Sequence, residues 1–329
     1  MTQTGDAILE TAARWARAEG GAALATVVQT WGSAPRPVGS QMAISAAGDM
    51  AGSVSGGCVE GVVVTEAMEM IEKGADTPRI MEFGVANEDA FAVGLACGGT
   101  IRVMIERIGA GLSIETLDAI TEARRERRPV GYRVDPVTGA GDLVGPMDYP
   151  ERFVSGKSGF EPVEGEEEGA FITVYAPPAR IAIVGAVHVA QALVPMARIA
   201  GFDVQLIDPR GAFASQVRFP DEVVSDEWPD GALTAYGLDA RTAVVTLTHD
   251  PKLDDPALMV ALRSEAFYVG SLGSRRTHAK RVERLTQAGL DAAQIARLHA
   301  PVGLDIKAAT PAEIAVSILA QIIEDLRRL

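Results

Sequence analysis

From Met1 to Gly20 the apolar residues Ile8, Leu9, Ala12, Trp15 and Ala16 fall on one side of a helical projection, with Glu10, Arg14 and Arg17 elsewhere. That spacing predicts an amphipathic helix. Ala22–Thr30 is continuously apolar and β-branched, which predicts a strand. Gln41–Ser45 and Met50–Val54 predict short strands around a turn at Gly48-Asp49. Val59–Lys73 returns to helical spacing through Val62, Val63, Ala67, Met70 and Ile71, and Gly74 is placed to stop it. Arg79–Phe83 and Thr100–Glu106 read as two more strands. A mixed α/β domain is therefore expected over residues 1–109.

Ser113–Arg128 predicts a helix, residues 129–170 a hairpin with loops, and Phe171–Tyr175 a strand. Residues 110–178 are thus expected to form a connecting helix, hairpin and linker. The linker ends at Ala176-Pro177-Pro178, because consecutive prolines hold a chain extended. Residues 179–329 alternate strand and helix, with strands at Ile181–Val184, Val204–Ile207, Ala243–Thr246 and Phe267–Val269. That alternation predicts a Rossmann-like, doubly wound parallel sheet. The last helix starts with Thr310 as N-cap, Pro311 in the first turn and Glu313 closing a capping box. Its stripe of Ile314, Ile318, Ile322 and Leu326 is expected to dock on the sheet. The fold class is α/β in both domains.

Composition narrows the function classes. A net charge of −14 over 329 residues argues against nonspecific nucleic-acid binding, which needs a basic face, but leaves room for a local anion site. The acidic run Glu161 to Glu168 reads as a solvated loop. No run reaches the roughly 18 apolar residues of a membrane span. Two cysteines and no recognisable export signal predict a reducing, cytoplasmic setting.

The candidate chemistry clusters at glycine-rich turns. Cys58 sits in Ser55-Gly56-Gly57-Cys58-Val59-Glu60, and Cys97 in Gly94-Leu95-Ala96-Cys97-Gly98-Gly99. Glycines beside a thiol let a ligand approach sulfur and backbone together. A thiolate attacks electrophiles and binds soft metals. Cys58 precedes a helix, whose N-terminus favours a thiolate. Equally, each thiol can be a small buried apolar group. Without a Cys-x-x-Cys or histidine cluster, a structural zinc site is not expected. The loop Gly32 to Gly39 presents Arg36, which can hold a phosphate or belong to a surface turn.

Gly185-Ala186-Val187-His188-Val189-Ala190 follows the first strand of the second domain like a dinucleotide fingerprint. Asp208 ends the next strand where a ribose-binding acid stands. Val187 replaces the second glycine, so the fold is expected but NAD(P) binding is doubtful. His188 and His249 lie at carboxyl ends of strands, where ligands sit in such sheets. His278 and His299 read as ordinary helix residues. Gly270-Ser271-Leu272-Gly273-Ser274-Arg275-Arg276 leads into a helix. It can offer free N–H groups and arginine forks to an anion, or Ser274 can simply cap the helix.

Taken together, these motifs resemble the XdhC/CoxI family, accessory proteins of molybdenum hydroxylases such as xanthine dehydrogenase. The resemblance rests on Gly32-Ser33-Ala34-Pro35-Arg36, Ser55 to Glu60 and Ala96-Cys97-Gly98-Gly99 in the first domain. In the second it rests on Gly185 to Ala190, Thr248-His249-Asp250-Pro251-Lys252, Gly273 to His278 and Pro301-Val302-Gly303-Leu304-Asp305. It implies a chaperone that binds molybdenum cofactor, assists its sulfuration with a cysteine desulfurase and delivers it to a xanthine dehydrogenase-type enzyme. A maturation chaperone is implied rather than a turnover enzyme. Under it, Cys58 and Cys97 become candidate molybdenum contacts or sulfur carriers, beside Gly56, Gly57, Gly98 and Gly99. Arg36, or the loop with Ser274 and Arg275, becomes a candidate phosphate holder. Gly185, His188, Asp208 and His249 are the candidate cofactor contacts of the second domain. An NAD(P)-dependent oxidoreductase and a persulfide-carrying sulfurtransferase are the alternative readings. A large ligand often sits between domains or subunits, so a homodimer is a candidate assembly.

Overall fold

The computed structural model describes residues 5–18, 20–32, 36–84, 99–162 and 169–329. The chain divides within the proline pair into two compact units, Met1–Pro177 and Pro178–Leu329.

In the first unit, α1 (Gly5–Arg17) precedes β1 (Ala22–Trp31), β2 (Gln41–Ser45) and β3 (Met50–Gly52). Then come α2 (Glu60–Lys73), β4 (Arg79–Phe83) and β5 (Thr100–Arg107). The strands form an antiparallel sheet ordered β3-β2-β1-β5-β4. Both faces are covered, which is why β1 reads as an unbroken apolar run rather than an alternation. Ala22 and Leu24 face Ile8, Leu9 and Ala12 of α1. Ala23, Ala25 and Val27 face Val63, Ala67 and Met70 of α2. Gly74 ends α2 in the left-handed conformation, as expected of a C-terminal glycine.

The chain continues through α3 (Ile114–Arg125), β6 (Val130–Val134), β7 (Gly141–Val144), α4 (Pro150–Ser155), β8 (Gly159–Glu161) and β9 (Ala170–Tyr175). These strands make an antiparallel sheet ordered β7-β6-β9-β8. Its Tyr132, Val134, Phe171 and Tyr175 share one apolar core with α1, α3 and the outer face of the first sheet. Sheet and helix are thus built into the first unit across the stretch expected as a connection. Of the acidic run, Glu161 belongs to β8 and pairs with Arg152; residues 163–168 lie outside the described residues.

The second unit runs β10 (Arg180–Val184), α5 (His188–Ile199), β11 (Asp203–Ile207), β12 (Val224–Ser225), α6 (Pro229–Tyr236) and β13 (Thr242–Thr246). It continues α7 (Pro251–Arg263), β14 (Tyr268–Ser271), α8 (Arg275–Gln287), α9 (Ala292–Ala296), β15 (Leu298–His299) and α10 (Pro311–Arg328). The sheet is parallel, ordered β12-β11-β10-β13-β14-β15. Helices α5 and α10 cover one face, and α6, α7 and α8 the other. This is the doubly wound architecture that the alternation predicted. In α10, Thr310 and Glu313 form the expected capping box, and Ile318 and Ile322 are fully buried.

The two-residue strands β12 and β15 are too short to leave a periodic signal. His299 therefore lies in β15, not in the helix expected for it. It stacks on Tyr268 with ring centroids 4.6 Å apart, and its Nε2 meets Asp325 at 3.0 Å. Among the described residues, no helix is long and apolar enough to cross a membrane.

Candidate functional site

The cysteine loop of the first unit is organised by an acid. Glu60 is the first residue of α2, so its side chain can reach back over the loop before it. Oε1 accepts from the Ser53 hydroxyl at 2.7 Å and from the amides of Val54, Ser55 and Gly56 at 3.2, 2.8 and 3.0 Å. Oε2 accepts from Gly57 N–H at 2.9 Å and from the Ser55 hydroxyl. Ser55 Oγ in turn accepts from the amides of Cys58 and Val59, each at 3.0 Å. Burial alone would raise the Glu60 carboxyl, but these donors overcome it and bring it down to about 2. Gly56 and Gly57 make the loop possible, with φ of 81° and 116°.

The loop is therefore a backbone nest already filled by an internal anion. Its amides are engaged by Glu60 and Ser55, not held open for a ligand. Cys58 is half-buried and packs against the apolar cluster beneath α2. Cys97 and Gly98 lie outside the described residues; Gly99 is buried just before β5.

Ser53 also lines a cleft of about 500 Å³, with Arg36, Ser40, Gln41, Arg124 and Tyr175. Bonds between β1 and the returning chain at Gly39 and Ser40 hold one wall of it. There Gly39 N–H donates to the Val27 carbonyl at 2.8 Å, and Val27 N–H to the Ser40 carbonyl at 2.9 Å. Gln41 Nε2 donates to Thr26 Oγ1 at 3.2 Å and to the Tyr175 hydroxyl oxygen at 2.8 Å. Arg36, half-buried, has no acidic partner among the described residues. Ser53 thus joins the cleft to the cysteine loop. The cleft has the volume and the polar lining of a small-molecule site. Among the described residues no group of His, Cys, Asp and Glu could hold a metal ion by itself.

In the second unit, Gly185 turns with φ of 111°, and a Cβ there would lie 2.7 Å from Thr248 Cγ2. This turn is built as a fingerprint turn is. Asp208 is not free for a ribose, however. Fully buried, it accepts through Oδ2 from Ala186 N–H and Arg210 Nη2, both at 2.8 Å. Oδ1 accepts from Arg210 N at 3.0 Å and Nε at 2.9 Å. Against the effect of burial, these bonds hold its carboxyl below the usual range. Arg210 itself stacks on Phe213, 4.1 Å from the ring centroid. His188 is exposed at the start of α5.

His249 leaves β13 in the left-handed region, φ 62°, and lines a second cleft of about 250 Å³ with Asp254, Arg276, Lys280, Arg281 and Arg284. Ser274 caps α8, accepting Thr277 N–H at 3.1 Å, while Arg275 is exposed and outside the cleft. Its neighbour Arg276 lines the cleft. Sequence reading also missed Glu60, Asp254 and Arg281. The signal for Arg281 was present: it stands four residues before the buried Leu285, a charge on the apolar stripe of α8.

The profile of the XdhC and CoxI family matches residues 15–84, and that of the XdhC Rossmann domain residues 181–322. The chain is 33% identical over 302 residues to the molybdenum cofactor insertion chaperone PaoD of Escherichia coli (strain K12), covering 92% of this chain and 82% of that one. It is 29% identical over 332 residues to a probable xanthine dehydrogenase subunit of Bacillus subtilis (strain 168), covering 93% and 94%. The crystal structure of a xanthine dehydrogenase from Bacillus halodurans superposes with a TM-score of 0.76 at 26% identity, over 99% of this chain and 96% of that one.

Proposed function

The chain belongs to the XdhC/CoxI family, and from that premise we propose that it binds molybdenum cofactor and passes it to a xanthine dehydrogenase-type molybdenum hydroxylase. The relationship to PaoD across both units is the observation that carries this reading. The cofactor is cargo here, not a group for turnover, so the chain needs a cradle rather than a reaction centre.

The first-unit cleft fits that role. Its volume suits a pterin-sized ligand, and Arg36 supplies a charged donor for the phosphate. The cysteine loop starts at the wall of the same cleft, through Ser53. In this reading Cys58 meets the metal end or carries sulfur received from a cysteine desulfurase, with Cys97 as its partner. NAD(P) is set aside, because Val187 replaces a glycine and Asp208 is saturated by Arg210 and Ala186.

The test is retention of molybdenum cofactor by the purified chain, read by the fluorescence of the oxidised pterin. Wild type, Cys58→Ala and Cys97→Ala are compared. Retention by wild type with loss in either variant is expected. Failure of wild type to retain the cofactor refutes the reading, and equal retention by all three removes the cysteines from it. Incubation with a desulfurase and mass spectrometry tests the sulfur step: Cys58 is expected to gain one sulfur atom.

A further inference from the structure

We propose that the cleft between α7 and α8 in the second unit is a binding site for a phosphate group, with Arg281 as its floor and Arg276 and Lys280 as its rim. Arg281 and Asp254, 2% and 1% exposed, form a buried ion pair that no hydrogen bond closes. Their closest atoms, Nη2 and Oδ2, are 3.8 Å apart, beyond hydrogen-bond reach. Nη2 donates instead to the Leu272 carbonyl at 3.0 Å. Nε and Nη1 of Arg281 and Oδ2 of Asp254 have no hydrogen-bond partner. A buried guanidinium with spare donors is destabilising unless something completes its shell. Here it lies at the base of an open cleft.

The charges around that floor point to an anion. Arg284 is committed to Asp255 through Nε and Nη2. Arg276 and Lys280 are exposed on the same side of α8 and have no acidic partner among the described residues. The cleft therefore carries excess positive charge on a chain whose net charge is −14. Burial raises the Asp254 carboxyl, against the pull of Thr248 and Arg281. A phosphate supplies several acceptor oxygens and a charge near two, matching a guanidinium fork and two flanking cations. The start of α8 adds its dipole to the same end. This site stands apart from the cofactor reading of the first unit, and its readout needs no cofactor retention. The phosphate can belong to the pterin cofactor or to a free nucleotide.

Isothermal titration of the full chain with pyrophosphate, at fixed ionic strength in chloride buffer, tests it. Wild type is expected to bind saturably. The exposed pair Arg276→Ala/Lys280→Ala is expected to weaken binding by about tenfold or more. Arg281→Lys, which keeps the charge and loses the fork, weakens it as well. The charge-matched control Arg133→Ala/Lys157→Ala in the first unit keeps wild-type affinity. No saturable binding, equal affinity in the Arg276/Lys280 variant, or an equal loss in the control overturns the proposal. Competition then names the source: displacement by ADP assigns a nucleotide, displacement by released molybdenum cofactor assigns the pterin phosphate, and displacement by neither overturns the site.

Discussion

The amide of Gly57 donates to Glu60 Oε2 at 2.9 Å, closing the glycine loop onto the helix that follows it. That contact decides what the loop is. An open nest of amides would recruit an anion from solution, whereas this one already holds a carboxylate. The position of Cys58 therefore depends on an acid two residues later.

Replacing that acid gives a pH-resolved test. The Glu60 carboxyl sits at about 2 in the folded chain against an ordinary value of 4.5. A lowered folded pKa stabilises above the unfolded value, and the gain is lost as pH falls from 4.5 toward 2. The full difference corresponds to roughly 3 kcal/mol, and solvent screening at the exposed edge of the loop reduces it to about 2 kcal/mol. Glu60→Gln is expected to be less stable than wild type near neutral pH by about that amount. The gap should narrow on acidification, as read by urea denaturation at about pH 7 and about pH 3.

Arg36 offers a test that leaves folding intact. Half-buried and unpaired by any described acid, it should change stability by less than about 0.5 kcal/mol when truncated. Retention of molybdenum cofactor by Arg36→Ala is expected to fall by about tenfold. Unchanged retention would move the phosphate contact elsewhere.

Glu106 carries the opposite pH signature. It is buried on β5 and accepts the hydroxyl of Tyr132, from β6 in the other sheet, at 3.0 Å. Burial raises its carboxyl to about 7, only partly opposed by that hydrogen bond. A raised folded pKa stabilises fully below the unfolded value near 4.5, and that support disappears as pH rises through about 7. Glu106→Gln should therefore be more stable than wild type at about pH 8.5, by up to roughly 3 kcal/mol. Near pH 4, roughly the unfolded value, the two should converge. Denaturation midpoints at the two pH values decide it.

The fingerprint turn separates fold from ligand. Gly185→Ala is expected to destabilise the second unit by about 2 kcal/mol or more, because φ is 111° and the new Cβ meets Thr248. Val187→Gly restores the missing glycine, yet NADH binding is expected in neither wild type nor variant, since Arg210 and Ala186 already saturate Asp208. Saturable quenching of tryptophan fluorescence by NADH in that variant would contradict this.

Periodicity and local chemistry by themselves determined much of the chain. The alternation after Pro178 led to the parallel sheet, because hydrophobic burial on a doubly covered strand or helix leaves a local record. Thr310 with Glu313, and Gly74, marked helix ends because capping is satisfied within a few residues. The glycine-cysteine and Gly185 motifs were visible for the same reason. Only the tertiary structure decided which donors those turns keep. It bonded Asp208 to the amide of Ala186, 22 residues away, and joined the second sheet to the first unit through Tyr132 and Phe171. It also set Arg281 beneath a cleft without a complete partner. Hydrogen-bond saturation and burial depend on where distant segments come to rest, and no local spacing records that.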